Sequence, residues 1–234
     1  MIKVLTFSEE IIWDKAAELI CKKLDRITME KMSCLVLLSG GSAVNIYQRL
    51  AEYIKRSQFV SENLAVGQVD ERFRPENSDD INAVQIEKTG LIEVLKRKGI
   101  KFYKILQKGS LERAADEYNR IMEELFRSYK FKMAILGIGR DGHTAGLLPG
   151  YRKEWDKNTF VTGYKNKGEF PERITITPKA FGRLDYGLTI VAGEEKREVM
   201  EGILKKKEID VNLLPGILIN RIKKVETVMD LKWI

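Results

Sequence analysis

The feature that most constrains this chain is a set of short, largely apolar runs separated by segments with helical periodicity. The runs include Cys34–Leu38, Phe131–Leu136 and Leu188–Ala192. A run that is apolar at nearly every position predicts a strand buried on both faces, as in parallel sheets. Between such runs, 111–125 places its apolar residues on one helical face. Residues 1–234 are therefore predicted to form a single Rossmann-like α/β domain, with a mostly parallel central sheet flanked by helices on both faces.

The rest of the chain continues this alternation with weaker signals. Ser110 precedes the amphipathic segment and opens its helix. Residues 151–172 are polar and contain glycines, which predicts a long loop. The other predicted elements are a helix capped by Ser8-Glu9-Glu10 and reaching Ile27, helices over 43–55, 82–95 and 194–205, and strands over 64–69, 101–105 and 225–229.

The charge balance favours anionic ligands. The 234 residues include 41 Lys or Arg and 34 Asp or Glu, so the formal net charge is +7. The basic residues are spread along the whole chain, and no interleaved aromatic residues suggest a platform for stacking bases. We therefore predict a small anionic ligand and no nucleic acid partner.

Cysteines and apolar runs also exclude several classes of protein. Cys21 and Cys34 lie in apolar patterns and are predicted to be buried hydrophobic residues, without a disulfide. No apolar run approaches the roughly 18 residues that a membrane span needs. The N-terminal sequence MIKVLTFSEE does not resemble a signal peptide. We expect a cytoplasmic protein with no membrane partner, as a monomer or small homo-oligomer.

Polar and glycine-rich sequences follow the predicted strands, where ligands bind in open α/β sheets. After the strand Cys34–Leu38 comes Ser39-Gly40-Gly41-Ser42. Its glycines, hydroxyls and free N–H groups suit a phosphate, although a tight turn with Ser42 as N-cap accounts for it equally well. The lysine of a nucleotide-binding P-loop is absent.

A second loop, Asp70-Glu71-Arg72, places three charges directly after a strand. Charges there are costly to bury unless they are paired. The planar guanidinium of Arg72 suits a phosphate or a carboxylate. A surface cluster of ion pairs is the alternative interpretation.

The third loop, AILGIGRDGHTAGLLPG over 134–150, contains His143, the only histidine of the chain. Its glycines fit the dinucleotide pattern G-x-G-x-x-G, but Pro149-Gly150 interrupts the helix which that motif requires. An imidazole on such a turn suits proton transfer, with Asp141 to orient it. One histidine without nearby cysteines is a poor transition-metal site, and no G-x-S-x-G elbow indicates a serine triad.

Two more cations follow predicted strands or lie near them. Arg173 begins the sequence Arg173-Ile174-Thr175, and Lys196 lies near the start of a predicted helix. Each side chain could contact an anion. For Lys196 a solvated position on a surface helix is the simpler interpretation.

Together these loops resemble the 6-phosphogluconolactonase family, within the superfamily that includes glucosamine-6-phosphate isomerases. Leu148 and Thr144 distinguish the chain from the deaminases of that fold, which carry D-G-H-I-A-F-N-E-P with a glutamate where Leu148 stands. The matching segments are Leu38–Ser42 (L-S-G-G-S), Asp70-Glu71-Arg72 with Pro75 and Asn82 (D-E-R-x-x-P…S-N), Leu136–Ala145 with Leu148-Pro149-Gly150 (L-G-x-G-x-D-G-H-T-A-S-L-F-P-G), Arg173-Ile174-Thr175 (R-I-T) and Gly193–Lys196 (G-x-E-K).

The resemblance implies hydrolysis of 6-phospho-D-glucono-1,5-lactone to 6-phosphogluconate in the oxidative pentose phosphate pathway. It implies His143 as general base, Asp141 as its partner, and neither a metal nor an organic cofactor. The implied substrate-binding residues are Ser39, Gly40, Gly41, Ser42, Asp70, Arg72, Arg173 and Lys196. The alternatives are a glucosamine-6-phosphate isomerase or deaminase, and a non-catalytic sensor of sugar phosphates.

Overall fold

The computed structural model describes residues 2–60, 62–75, 78–150, 152–205 and 210–230. Within these ranges strands and helices alternate along the chain. The strands are β1 (Ile2–Phe7), β2 (Cys34–Leu38), β3 (Leu64–Gln68), β4 (Asp70–Arg72), β5 (Phe102–Tyr103), β6 (Phe131–Gly137), β7 (Val161–Lys165), β8 (Glu172–Ile176), β9 (Tyr186–Val191) and β10 (Lys224–Asp230). The α-helices are α1 (Ile12–Met29), α2 (Tyr47–Arg56), α3 (Asn82–Lys88), α4 (Leu91–Arg97), α5 (Leu111–Ser128), α6 (Pro178–Phe181) and α7 (Arg197–Leu204).

Seven strands form one sheet in the order β1-β10-β9-β6-β2-β3-β5. Each pair of neighbours in it runs parallel. Along β2, Leu35 and Leu37 pack on one face while Cys34 and Val36 pack on the other. Because both faces are covered, every position of β2 is buried, which explains its unbroken apolar sequence. The predicted parallel central sheet is confirmed.

Helices cover both faces of this sheet, as predicted. Helices α1 to α4 pack on one face. The other face carries α5, α6 and α7. Ser110 is the N-cap of α5, and its hydroxyl oxygen accepts a hydrogen bond from the Arg113 N–H at 3.2 Å. Among the described residues no helix is both long and apolar enough to cross a membrane.

The prediction of a loop over 151–172 is wrong. Strand β7 lies within this segment, and β8 starts at its last residue, Glu172. These two strands form a separate antiparallel sheet with β4, in the order β4-β8-β7. In β7, Val161 and Tyr164 are buried and Lys165 is exposed, so the short strand lacks the apolar run of a fully buried one. Gly163 brings β7 close to α5, because a Cβ there would lie 3.0 Å from the Cβ of Ala115.

Several element boundaries also differ from the predictions. The helix predicted over 82–95 is two helices, separated at Gly90 with φ +79°. The segments 43–55 and 194–205 both begin as 3₁₀ helices. The N-cap of α1 is Ile11, with no side-chain hydrogen bond, so the predicted cap over Ser8–Glu10 is wrong. The unpredicted β1 is an edge strand with an exposed Lys3 and Val4, which hides its strand pattern.

Candidate active site

Loops and short strands at the carboxyl edge of the parallel sheet line a cavity of about 320 Å³. This is the edge at which open α/β sheets bind ligands. Nine of the ten predicted site residues line it, and Asp141 contacts one of the nine. The nine are Ser39, Gly40, Gly41, Ser42, Asp70, Arg72, His143, Arg173 and Lys196. Their roles toward a substrate stay predictions.

Asp141 and His143 form a hydrogen-bonded pair in the loop after β6. One carboxylate oxygen, Oδ1, lies 2.5 Å from the ring Nδ1 and also accepts the backbone N–H of His143 at 3.1 Å. Partial burial raises the pKa of Asp141, but the hydrogen bonds and charge of His143 outweigh it and hold that pKa below its ordinary value. An ionised Asp141 only accepts hydrogen bonds, so it favours the tautomer that carries the ring proton on Nδ1 and the lone pair on Nε2.

The glycines of this loop make room for the pair. A Cβ on Gly139 would lie 2.1 Å from Nδ1 of His143 and 2.6 Å from Oδ1 of Asp141. Gly142 has φ +83°, which favours glycine. The turn closes through a hydrogen bond of 2.9 Å from the Gly139 N–H to the His143 carbonyl. No helix begins at Gly142, which agrees with rejecting the dinucleotide interpretation.

The Asp70-Glu71-Arg72 segment is not the surface ion-pair cluster that the sequence left open. Asp70 is 6% exposed and Glu71 is fully buried. Burial raises the pKa of Glu71 to about 7, although its hydrogen bonds act in the opposite direction. The carboxylate accepts hydrogen bonds from the Asn82 N–H at 2.7 Å, the Gln68 side-chain amide at 2.8 Å, and the Ala83 and Arg72 N–H groups at 2.9 Å each. Glu71 therefore joins β4 to the start of α3.

Asn82 is a cavity residue to which the sequence assigned no role, although it stands in the quoted motif. Its side-chain amide donates a 3.0 Å hydrogen bond to the Asp70 carbonyl. A Cβ on Gly40 would lie 1.9 Å from the Asn82 Oδ1. Gly40 is thus needed because this side chain packs directly on it, and Asn82 connects two of the predicted loops.

The first loop is held in place by its own polar groups. The Ser39 hydroxyl donates to the Ile135 carbonyl at 2.7 Å, and the Ser39 carbonyl accepts from the Tyr47 hydroxyl at 2.6 Å. Gly41 has φ +59° and opens a 3₁₀ helix whose N-cap is Gly40. Ser42 is therefore not the N-cap, so that part of the simpler interpretation is wrong.

Among the described residues, three cationic side chains line the cavity. Arg72 and Arg173 are direct partners across the antiparallel β4–β8 pair. Arg173 is 9% exposed, and its Nε has no hydrogen-bond partner in the part of the chain that the structure describes. Lys196 is half-buried, and this burial lowers its pKa, against the effect of the nearby Glu195 and Asp230 charges. The interpretation of Lys196 as a solvated surface residue is wrong.

Asp70 is the cavity's buried acid. Burial raises its pKa, while the positive charges of Arg173, His143 and Arg72 oppose that rise. Among the described residues, no group of three or more His, Cys, Asp or Glu side chains is arranged to hold a metal ion. The arrangement offers a proton acceptor, a buried acid and three cations around a small space.

The fold and the cavity define an α/β protein with a small cationic site at the carboxyl edge of its sheet. The family model described as glucosamine-6-phosphate isomerases/6-phosphogluconolactonase matches residues 8–229, so the chain belongs to this family. This confirms the resemblance seen in the sequence. A relative described as a probable chloroplastic 6-phosphogluconolactonase 4 from Oryza sativa subsp. indica is 28% identical over 226 residues, covering 91% of this chain and 69% of the relative.

Solved structures show the same fold. The crystal structure of 6-phosphogluconolactonase from Thermotoga maritima has a TM-score of 0.80 and 25% identity, covering 98% of this chain and 99% of the other. A monomeric glucosamine-6-phosphate deaminase has a TM-score of 0.75 at 17% identity, covering 99% of this chain and 98% of the other. The fold alone therefore does not separate lactonase from deaminase, and the site residues have to do so.

Proposed function

We propose that this chain hydrolyses 6-phospho-D-glucono-1,5-lactone to 6-phosphogluconate, with His143 as general base. The observation that carries the proposal is the 2.5 Å contact between Asp141 and Nδ1 of His143 at a cation-lined cavity. This contact supports a proton on Nδ1, with the lone pair of Nε2 accepting a proton from water. The relatives described as 6-phosphogluconolactonases support the choice of substrate.

The reaction needs one water and one proton relay. Nε2 of His143 takes a proton from water as the water oxygen attacks the lactone carbonyl carbon. The tetrahedral intermediate then expels the ring oxygen, which takes the proton back from the imidazolium. Asp141 stabilises that imidazolium between the two steps. The bond between the carbonyl carbon and the ring oxygen breaks, and the product carries a carboxyl and a hydroxyl group.

The remaining cavity residues suit the charges of such a substrate. Arg72, Arg173 and Lys196 complement the phosphate dianion and the oxyanion that forms on the lactone. The Ser39–Ser42 loop adds hydroxyl and backbone groups, and Asp70 is positioned to accept hydrogen bonds from sugar hydroxyls. The lactone is an activated ester whose ring oxygen is the leaving group. Its hydrolysis needs no cofactor, and the proposal includes none.

Leu148 favours lactonase over deaminase chemistry. The related deaminases carry a glutamate at the matching position of their motif. Here Leu148 packs against the apolar core, and its N–H donates to the Tyr164 hydroxyl at 3.2 Å. An apolar side chain cannot supply the acid that assists the histidine in deamination. Cytoplasmic location and a place in the oxidative pentose phosphate pathway stay part of this proposal.

The direct test is His143→Ala, assayed by acid release from freshly prepared lactone after subtraction of spontaneous hydrolysis. Loss of the general base is expected to lower kcat/KM by about 10²–10⁴-fold. Arg140→Ala is the control, because Arg140 is exposed in the same loop and does not line the cavity. Near wild-type kcat/KM in His143→Ala would remove the general-base assignment. Ammonia release from glucosamine 6-phosphate would favour a deaminase, and binding without turnover would favour a sensor.

A further inference from the structure

We propose that Phe170 is a positioning residue for Arg72 and sets the affinity of the cavity for its phosphorylated ligand. The centre of the Arg72 guanidinium lies 3.9 Å from the centroid of the Phe170 ring. This distance is that of a cation stacked on an aromatic face. The inference rests on the proposed function for the identity of the ligand, but the contact itself does not.

Phe170 lies in the turn between β7 and β8, and this turn is fixed by Asn166. The Asn166 N–H donates to the Pro171 carbonyl at 2.7 Å, and its side-chain amide donates to the Phe170 carbonyl at 2.9 Å. The Asn166 Oδ1 also accepts the Gly168 N–H at 2.6 Å. The backbone that carries Phe170 is therefore held from several sides, and the ring is presented to Arg72 by an ordered turn.

Arg72 is constrained at its backbone and at one edge of its side chain. Its N–H donates to Glu71 at 2.9 Å, and its carbonyl accepts from the Gln107 side-chain amide at 3.1 Å. Its Nη1 donates to the Asp80 carbonyl at 2.7 Å. Stacking uses the face of the guanidinium and leaves the in-plane N–H groups for a ligand. Phe170 thus fixes the plane in which those donors point.

The ring also lies close to two further cations. Arg72 lies directly opposite Arg173, and like charges at such positions repel each other. The guanidinium centres of Arg74 and Arg173 lie 5.5 and 5.8 Å from the same ring centroid. The partial negative charge of the ring face attracts all three cations. Within the described residues the cavity wall includes Arg72, the cation that stacks on this ring at 3.9 Å, but not Phe170, so Phe170 acts through Arg72.

The test measures binding of 6-phosphogluconate, the stable product, by calorimetry. Phe170→Leu removes the aromatic face and keeps an apolar side chain, and it should raise Kd about 2- to 30-fold. KM for the lactone should rise in parallel with kcat unchanged. Phe170→Tyr keeps the face and should restore wild-type Kd. In an Arg72→Met background, Phe170→Leu should have no further effect on Kd.

Phe160→Leu is the matched control, because Phe160 lies 4.6 Å from the Lys179 ammonium, packs against Phe126 and does not line the cavity. It should bind like wild type even if its thermal stability falls. The proposal is overturned if Phe170→Leu keeps wild-type Kd, if Phe170→Tyr binds as weakly as Phe170→Leu, or if the effect persists without Arg72. A wild-type protein that binds 6-phosphogluconate without hydrolysing lactone would end the proposed function and leave this inference standing. A wild-type protein that neither hydrolyses the lactone nor binds 6-phosphogluconate would overturn both.

Discussion

Two carboxylates near the cavity, Asp141 in the loop after β6 and Glu71 in β4, have opposite surroundings. The Asp141 side chain is 45% exposed and, among the described residues, hydrogen-bonds to His143. Glu71 is fully buried and accepts four hydrogen bonds from backbone and amide N–H groups. The pKa of Asp141 is lowered by the histidine despite its partial burial, whereas burial raises the pKa of Glu71 to about 7.

The contrast shows that two carboxylates from the matched motifs have different partners: Asp141 contacts the histidine side chain, whereas Glu71 contacts backbone and amide N–H groups. Contact with His143 keeps Asp141 ionised, so in the proposed reaction its negative charge is available to stabilise an imidazolium. Glu71 has all its oxygen lone pairs directed at main-chain and amide donors within the protein, and it holds β4 against α3. Substitution of each should therefore change different measured quantities.

The largest effect is expected for Asp141→Asn. An amide can donate a hydrogen bond to Nδ1, which moves the ring proton to Nε2 and removes the base. We expect kcat to fall by roughly 10²–10⁴-fold with little change in thermal stability. The measurement is kcat and KM for lactone hydrolysis beside a melting curve. A variant with wild-type kcat would mean that the 2.5 Å contact does not orient the catalytic ring.

Gly139→Ala tests the same pair through sterics alone. The new Cβ would lie 2.1 Å from Nδ1 of His143, so the His143 ring and the Asp141 carboxylate must both move away from it. A displacement of this size is expected to lower kcat/KM on the order of 10²-fold. Gly182→Ala is the control, because Gly182 does not line the cavity, has φ −67° and would place its Cβ no closer than 3.6 Å to the Lys179 carbonyl oxygen. Equal activities of the two variants would contradict the assigned geometry.

The smallest effect on the chemistry is expected at Glu71, where the pH dependence of stability should change instead. The folded protein binds this proton with a pKa of about 7, against an ordinary value of 4.5. The unfolded chain releases the proton first as pH rises, so the free energy of unfolding should fall between pH 4.5 and 7, by at most about 3 kcal/mol. Glu71→Gln removes this titration, and urea denaturation across that interval should give a flatter curve. Parallel curves for the two proteins would show that Glu71 does not titrate there.

Strands buried on both faces were predictable because a strand between two layers of helices needs an apolar residue at every position. This explains the agreement at β2, whose bounds are the same in the prediction and the structure. The second sheet was missed because β7 and β4 are short, carry polar or charged residues and are buried by tertiary packing. Asn82 carried a motif signal, whereas Phe170 lies in a segment predicted to be a loop and carried none.

The sequence by itself determined the alternation of strands and helices, the parallel sheet and the residues gathered at its carboxyl edge. It did so because periodicity and turn chemistry are local properties, and because parallel strands end on one side. Only the tertiary structure decided that Glu71 is buried and hydrogen-bonded, that Arg72 lies opposite Arg173, and that Phe170 stacks on that arginine. These facts depend on the register and packing of strands far apart in the chain, which no local pattern contains.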